Sequence, residues 1–149
     1  LNEAIIFSIM VFVFIGTIDL IDSMPSIVDR VFSLVKTKAG LIVSSLLTTG
    51  FTNSITSNQS ATSFIIGDAF KRRYDKYKIS RKVLSRSIED YGTMLESLIP
   101  WHATTIFLTA TLGVAYSDYW YWRVLSLINL VLAPSLAILG IGCFYKKTR

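Results

Sequence analysis

Cysteine and histidine each occur once in this sequence of 149 residues, as Cys143 and His102. No internal disulfide can form, and no zinc site built on paired Cys and His can be assembled. His102 stands beside an expected helix break, where hydrogen-bonded structure is its simpler role. Proline occurs three times. Pro25 resets the chain after a first apolar segment, while Pro100 and Pro134 each fall within an apolar run. Charge is scarce where the chain is most apolar: residues 39–67, 97–117 and 124–145 contain no Asp, Glu, Lys or Arg. No nucleophile beside a base, no metal set and no cofactor loop is present, so no enzyme, no catalytic residue and no cofactor are expected.

What is abundant is apolar surface. Hydrophobic residues make up 52% of the chain and aromatic residues 13%, and the mean hydropathy is +0.51. A soluble domain of this size matches those values poorly. The charge-free runs over 97–117 and 124–145 are each long enough to cross a hydrocarbon core about 30 Å thick as a helix. An apolar opening segment, closed by Asp19 and Asp22, adds another span. These two carboxylates share a helix face and suit the membrane surface or, for Asp19, the protein interior. An amphipathic stretch from Ile27 to Lys36 follows in the interface. Tyr116, Tyr119, Trp120, Tyr121 and Trp122 form a dense aromatic belt.

The net charge of +5 is not spread evenly: 13 of the 15 Lys and Arg lie at 36–38, 71–86 and 146–149. Such clusters beside apolar segments are expected on the cytoplasmic side. No basic groove with interleaved aromatics suggests nucleic acid as a partner; the lipid bilayer is the expected one. The fold class that follows is an all-α membrane protein, multi-pass in the cytoplasmic membrane. Its expected spans are about 4–22, 94–116 and 124–145, with a broken or re-entrant segment over 39–70 and a cytoplasmic connector over 71–86. The opening lacks a basic leader and a small-residue cleavage pattern, so a removed signal sequence is not expected and a longer parent protein is.

The segment 39–70 is the least ordinary part. Between Thr48 and Ser63, 12 of 16 side chains carry a hydroxyl or amide, flanked by short apolar arms. As one helix, residues 39–67 would run roughly 44 Å, longer than a bilayer core, so a break is expected. The two geometries open are a re-entrant hairpin and a single interrupted span. Polar unwound backbone at membrane depth must line a cavity, which makes Ser57, Asn58, Gln59 and Ser60 the expected floor of an ion or substrate site. Packing between membrane helices is the alternative use of such residues.

A second locus follows the basic connector. Ser87 is placed to cap a helix, with Glu89 and Asp90 in its first turn. That helix is expected to run to Pro100, whose missing N–H would leave the carbonyl of Glu96 free. Glu89, Thr93 and Glu96 share a face by spacing, so carboxylates and a free carbonyl mark a candidate cation site built from Glu89, Asp90, Thr93 and Glu96.

The order Ser85-Arg86-Ser87-Ile88-Glu89-Asp90-Tyr91-Gly92-Thr93, then Leu98-Ile99-Pro100-Trp101, resembles the Leu-Ser-Arg-x-x-Glu-Asp-x-Gly-Thr and Leu-Ile-Pro-Trp blocks of the NhaC family of sodium/proton antiporters. The polar stretch and the basic connector are similar as well, so the resemblance covers most of residues 39–145. It implies the C-terminal portion of a transporter membrane domain that works with missing N-terminal spans, with sodium ions and protons as the transported species and no metal beyond that sodium. It also leaves open a sodium- or proton-coupled antiporter for organic acids of the malate or lactate type. A non-transporting fragment that acts only with the missing spans is the remaining alternative.

Overall fold

The computed structural model describes Val13, Val35 and residues 37–143. The expected first span with Asp19 and Asp22, most of the amphipathic stretch after it and the basic end at 146–149 lie outside the described residues. Among the described residues the architecture is helical: α1 Lys38–Thr56, α2 Gln59–Lys76, α3 Arg81–Ile88, a π-helical turn Glu89–Thr93, a 3-10 turn Glu96–Leu98, α4 Ala103–Leu112, α5 Tyr116–Tyr119, a 3-10 turn Trp120–Trp122 and α6 Val124–Leu139.

The polar stretch folds back on itself. Thr37 caps α1 by accepting from the Gly40 amide. The helix stops at Ser57, which turns left-handed at φ 50° and sends its N–H to the Asn53 carbonyl. Asn58 is extended, and its Oδ1 accepts from the Ala61 amide 2.9 Å away to start α2. A side-chain oxygen at this position satisfies one of the donors that every helix start leaves open. The pairs Ser45–Tyr74, Asn53–Thr62 and Thr56–Thr62 run in opposite directions along the chain. α1 and α2 are therefore an antiparallel hairpin that reverses within two residues, not a span that continues past its break.

The core lies between this hairpin and the elements behind it. Leu41, Ile42 and Leu46 of α1 meet Ile66, Phe70 and Tyr74 of α2, then Val83, Leu84 and Ile88 of α3 and Ala133 and Ala137 of α6. The expected connector 71–86 is thus only half a solvated anchor: it completes α2, turns through Lys78 at φ 56° and forms α3, adding the fully buried Tyr74 and Ile79 to the core. Its outward side keeps the charge. Asp75 receives hydrogen bonds from Arg81, 2.5 Å at the closest, and these push the arginine's pKa above its ordinary value. The cap of α3 is Ser80, not Ser87, whose hydroxyl turns inward along the helix to the Val83 carbonyl.

The apolar runs beyond Thr93 are more broken than their composition suggests. Residues 94–116 are not one helix: a 3-10 turn and Pro100 precede α4, which has 10 residues and ends at Gly113 with φ 64°. α6 has 16 residues and ends at Gly140 with φ 72°, before the end of the apolar run. No single described helix is both long and apolar enough to cross a membrane; the segment Tyr116–Trp122 and α6 pass together by length and composition, bent by 52°. Of the aromatic belt, Trp120, Tyr121 and Trp122 are exposed. Tyr116 and Tyr119 instead donate inward to the carbonyls of Leu98 and Ser97, at 2.7 and 3.2 Å.

Candidate functional site

The tip of the hairpin meets the π-helical turn. A π turn widens the backbone ring and occurs mostly as a single interruption at functional places in helices. Here it is held by three carboxamides from three helices. Asn53 of α1 donates to the Gly92 carbonyl at 3.1 Å, Gln59 of α2 to the Ile88 carbonyl at 3.3 Å, and Asn129 of α6 to the Asp90 carbonyl at 2.9 Å. Gly92 makes the approach of Gln59 possible, since a Cβ there would lie 2.1 Å from Gln59 Oε1. That oxygen is buried and has no hydrogen-bond partner. A buried carbonyl oxygen left without a donor is the kind of neutral ligand a cation uses.

The four residues of the expected floor take different places. Gln59 reaches the turn, whereas Ser57 ends α1, Asn58 spends its oxygen capping α2, and Ser60 faces outward. The carboxylates divide into separate places. Thr93 donates to Glu89 at 2.6 Å on an exposed surface. Asp90 is half-buried with Arg86 3.7 Å from its Oδ2. Glu96 is not on the Glu89 face: its Oε2 accepts from Thr104 at 2.6 Å. Nor does Pro100 free the Glu96 carbonyl, which accepts from the Ile99 amide at 3.3 Å and from Thr105 at 3.0 Å. The reason is that the helix has already opened at the π turn, so Pro100 sits in a turn where no helical bond is lost.

Several residues near this site were not singled out as ligands by spacing. Asn53 is fully buried, and its Oδ1 lies 3.3 Å from Thr62 Oγ1 and 3.4 Å from His102 Nε2. His102 is itself buried and caps α4, its Nδ1 accepting from the Thr104 amide at 3.2 Å. Trp101 donates to the Ser54 carbonyl at 2.7 Å, closing one of the carbonyls that the end of α1 leaves open. Tyr91 donates to the Leu130 carbonyl at 2.5 Å. Pro134, four residues on, lacks the N–H that would have filled that carbonyl in α6. Membership of Asn53 in the polar stretch and the singleness of His102 were the available signals. For Asn129 and Tyr91 there was none.

Interrupted helices packed tip to turn, with amides and hydroxyls between them, are the build of secondary transporters. The chain belongs to the Na+/H+ antiporter family, whose family model matches residues 4–141. It is 33% identical over 132 residues to the Na(+)/H(+) antiporter NhaC of Bacillus subtilis, covering 89% of this chain and 28% of that protein. It is 28% identical over 127 residues to the Na(+)/H(+) antiporter NhaC of Alkalihalophilus pseudofirmus, covering 85% of this chain and 28% of that protein. A shorter match, 32% over 74 residues, joins 50% of the chain to 16% of the malate-2H(+)/Na(+)-lactate antiporter of Bacillus subtilis. The chain thus spans little more than a quarter of the NhaC relatives it matches. No solved structure matches it.

Proposed function

We propose that this chain is the portion of a multi-pass secondary transporter of the cytoplasmic membrane that carries an ion site, and that the whole protein exchanges sodium for protons. The observation that supports this most is the placement of Asp90 on a π turn clamped by the hairpin tip, in a chain of the Na+/H+ antiporter family. In this reading Asp90 is the group that holds either a proton or a sodium ion, and Gln59 supplies the neutral oxygen that has no other partner. Glu89 and Thr93 flank it on the same turn, while Glu96 is tied to Thr104 and plays the lesser part. Ser57, Asn58 and Ser60 serve the hairpin's shape rather than the ion. The expected spans 94–116 and 124–145 act here as interrupted elements, and with 4–22 they enclose a pathway only together with the rest of the protein.

The exchange follows from charge. One carboxylate cannot be protonated and offer sodium a full negative charge at once, so each ion displaces the other, and rocking of the surrounding helices exposes the site to either side. Asp90→Asn in the full-length protein is expected to abolish sodium-driven proton movement in everted vesicles that contain no organic acid, with membrane insertion unchanged. Glu96→Gln is expected to have the smaller effect. Retained exchange with the parent pH dependence in Asp90→Asn would reduce Asp90 to a structural residue. The match to a malate and lactate antiporter favours one second reading: exchange that appears only after malate or lactate is added would establish it.

A further inference from the structure

His102 is a buried titratable side chain near the site to which the proposed exchange gives no task. Its hydrogen bonds determine its protonation. Nδ1 accepts from the Thr104 amide at 3.2 Å, so it carries a lone pair and no proton. The neutral ring therefore bears its hydrogen on Nε2, which faces Asn53 Oδ1 at 3.4 Å. That contact fixes which way the Asn53 amide points. With Oδ1 turned toward His102 and Thr62, the Nδ2 donor is left aimed at the Gly92 carbonyl of the π turn, 3.1 Å away. One ring thus connects the first turn of α4 with the turn that carries Glu89, Asp90 and Thr93.

We infer that His102 is a positioning residue for the proposed ion site: it orients Asn53, and through Asn53 the π turn, only as the neutral Nε2–H tautomer, so that uptake of a proton releases the turn. The inference rests on the ion-site reading for its consequence in transport but not for its geometry. A proton added to Nδ1 removes the acceptor that the Thr104 amide uses, and two N–H groups then face one another. Swinging of the ring relieves that clash, and the swing takes the Nε2 donor away from Asn53. Of the charged groups, Glu96 faces His102, its carboxylate held by Thr104. The hairpin presents only neutral groups, Asn53 and Thr62, since it carries no charge over residues 39–67.

Two substitutions that cannot titrate divide the ring's tasks. In His102→Asn the side-chain oxygen sits where Nδ1 does and keeps the helix cap, but the amide is too short to reach Asn53. In His102→Gln the amide nitrogen extends to the position of Nε2 and keeps the donor to Asn53, while the cap is weakened. In the full-length protein, His102→Gln is expected to stay within about twofold of the parent's apparent sodium affinity at alkaline pH, and His102→Asn to lose roughly fivefold or more, the scale of one buried hydrogen bond. Both are expected to lose whatever part of the parent's decline on acidification comes from His102, giving flatter profiles below neutral pH. His102→Asn performing as well as His102→Gln would mean that His102 is only a cap, and acid profiles identical to the parent would mean that it does not titrate; either result overturns the inference.

If the parent itself moves no protons in response to sodium, the ion-site reading fails and a second measurement still decides. Amide hydrogen exchange of residues 88–94 in the purified full-length protein, corrected for the intrinsic effect of pH, should show protection lost on acidification in the parent and kept in His102→Gln. Equal loss in both would overturn the inference without reference to transport.

Discussion

Gly92 shows how a single residue can matter for space rather than for backbone conformation. Its φ is ordinary, yet a side chain there would collide with Gln59, with a Cβ 2.1 Å from Oε1 and 2.3 Å from Nε2. Gly92→Ala should therefore displace Gln59 from the Ile88 carbonyl and cost about 1–3 kcal/mol, the usual range for overpacking, read as a lowered midpoint of thermal unfolding in the full-length protein. Gln59→Ala in the same background should recover most of that loss, because contacting residues are not additive. Independent, additive losses would show that Gln59 is not what Gly92 makes room for. At this scale the sequence was partly legible. The density of hydroxyls and amides over Thr48 to Ser63 pointed to the junction, and the block containing Glu89, Asp90, Gly92 and Thr93 pointed to its other half. Which of the polar residues turn inward was not legible. That depends on the helix register on each side of a two-residue reversal, which puts Asn53 and Gln59 inside and leaves Ser60 outside.

At the scale of elements, α6 is fastened to the π turn by a proline's defect. Pro134 leaves the Leu130 carbonyl without its helical donor, and the Tyr91 hydroxyl supplies one from another element at 2.5 Å. Tyr91→Phe should cost about 1–3 kcal/mol by leaving that carbonyl unpaired. In a Pro134→Ala background the restored N–H fills Leu130 from within the helix, so Tyr91→Phe should then cost less than about 1 kcal/mol. Thermal unfolding of the four full-length proteins measures the difference, and an equal cost in both backgrounds would exclude the coupling. Sequence patterning shows where apolar side chains recur, but not which carbonyls a distant proline or helix end leaves open. For that reason Pro100 read as the cause of a break that occurs earlier, and Tyr116 and Tyr119 read as part of an aromatic belt. The helices themselves were easier to anticipate than their ends, because charge-free runs mark apolar segments while Gly113 and Gly140 decide where α4 and α6 stop.

On the scale of the whole molecule, the hairpin brings its two ends together. Lys38 opens α1 and Lys76 closes α2, so the antiparallel arrangement brings both to the same end. Single cysteines at these positions, in a Cys143→Ser background of the full-length protein, are expected to react with a thiol reagent from the same face of the membrane, and from the cytoplasmic face if the hairpin is re-entrant. Labelling from opposite faces would contradict the reversal at Ser57 and Asn58. Around the hairpin the molecule is apolar on its outside: Leu47, Phe51 and Ile55 form a stripe at helical spacing along α1, with Phe64 exposed on α2. Inside, several hydroxyls find partners, while Ser44 Oγ and Gln59 Oε1 have none. Ser45 donates to the Ile42 carbonyl and so accepts from the Tyr74 hydroxyl, while Thr49 and Ser54 return their hydroxyls to their own helix. A pair of helices that hides its hydroxyls along a shared seam and shows hydrocarbon outward has a consequence for biosynthesis. On the proposed membrane reading, neither half is suited to leave the translocation machinery alone; the seam closes only when Tyr74 has been synthesised, so the two helices should partition into lipid together, in one step, after the ribosome has passed that tyrosine.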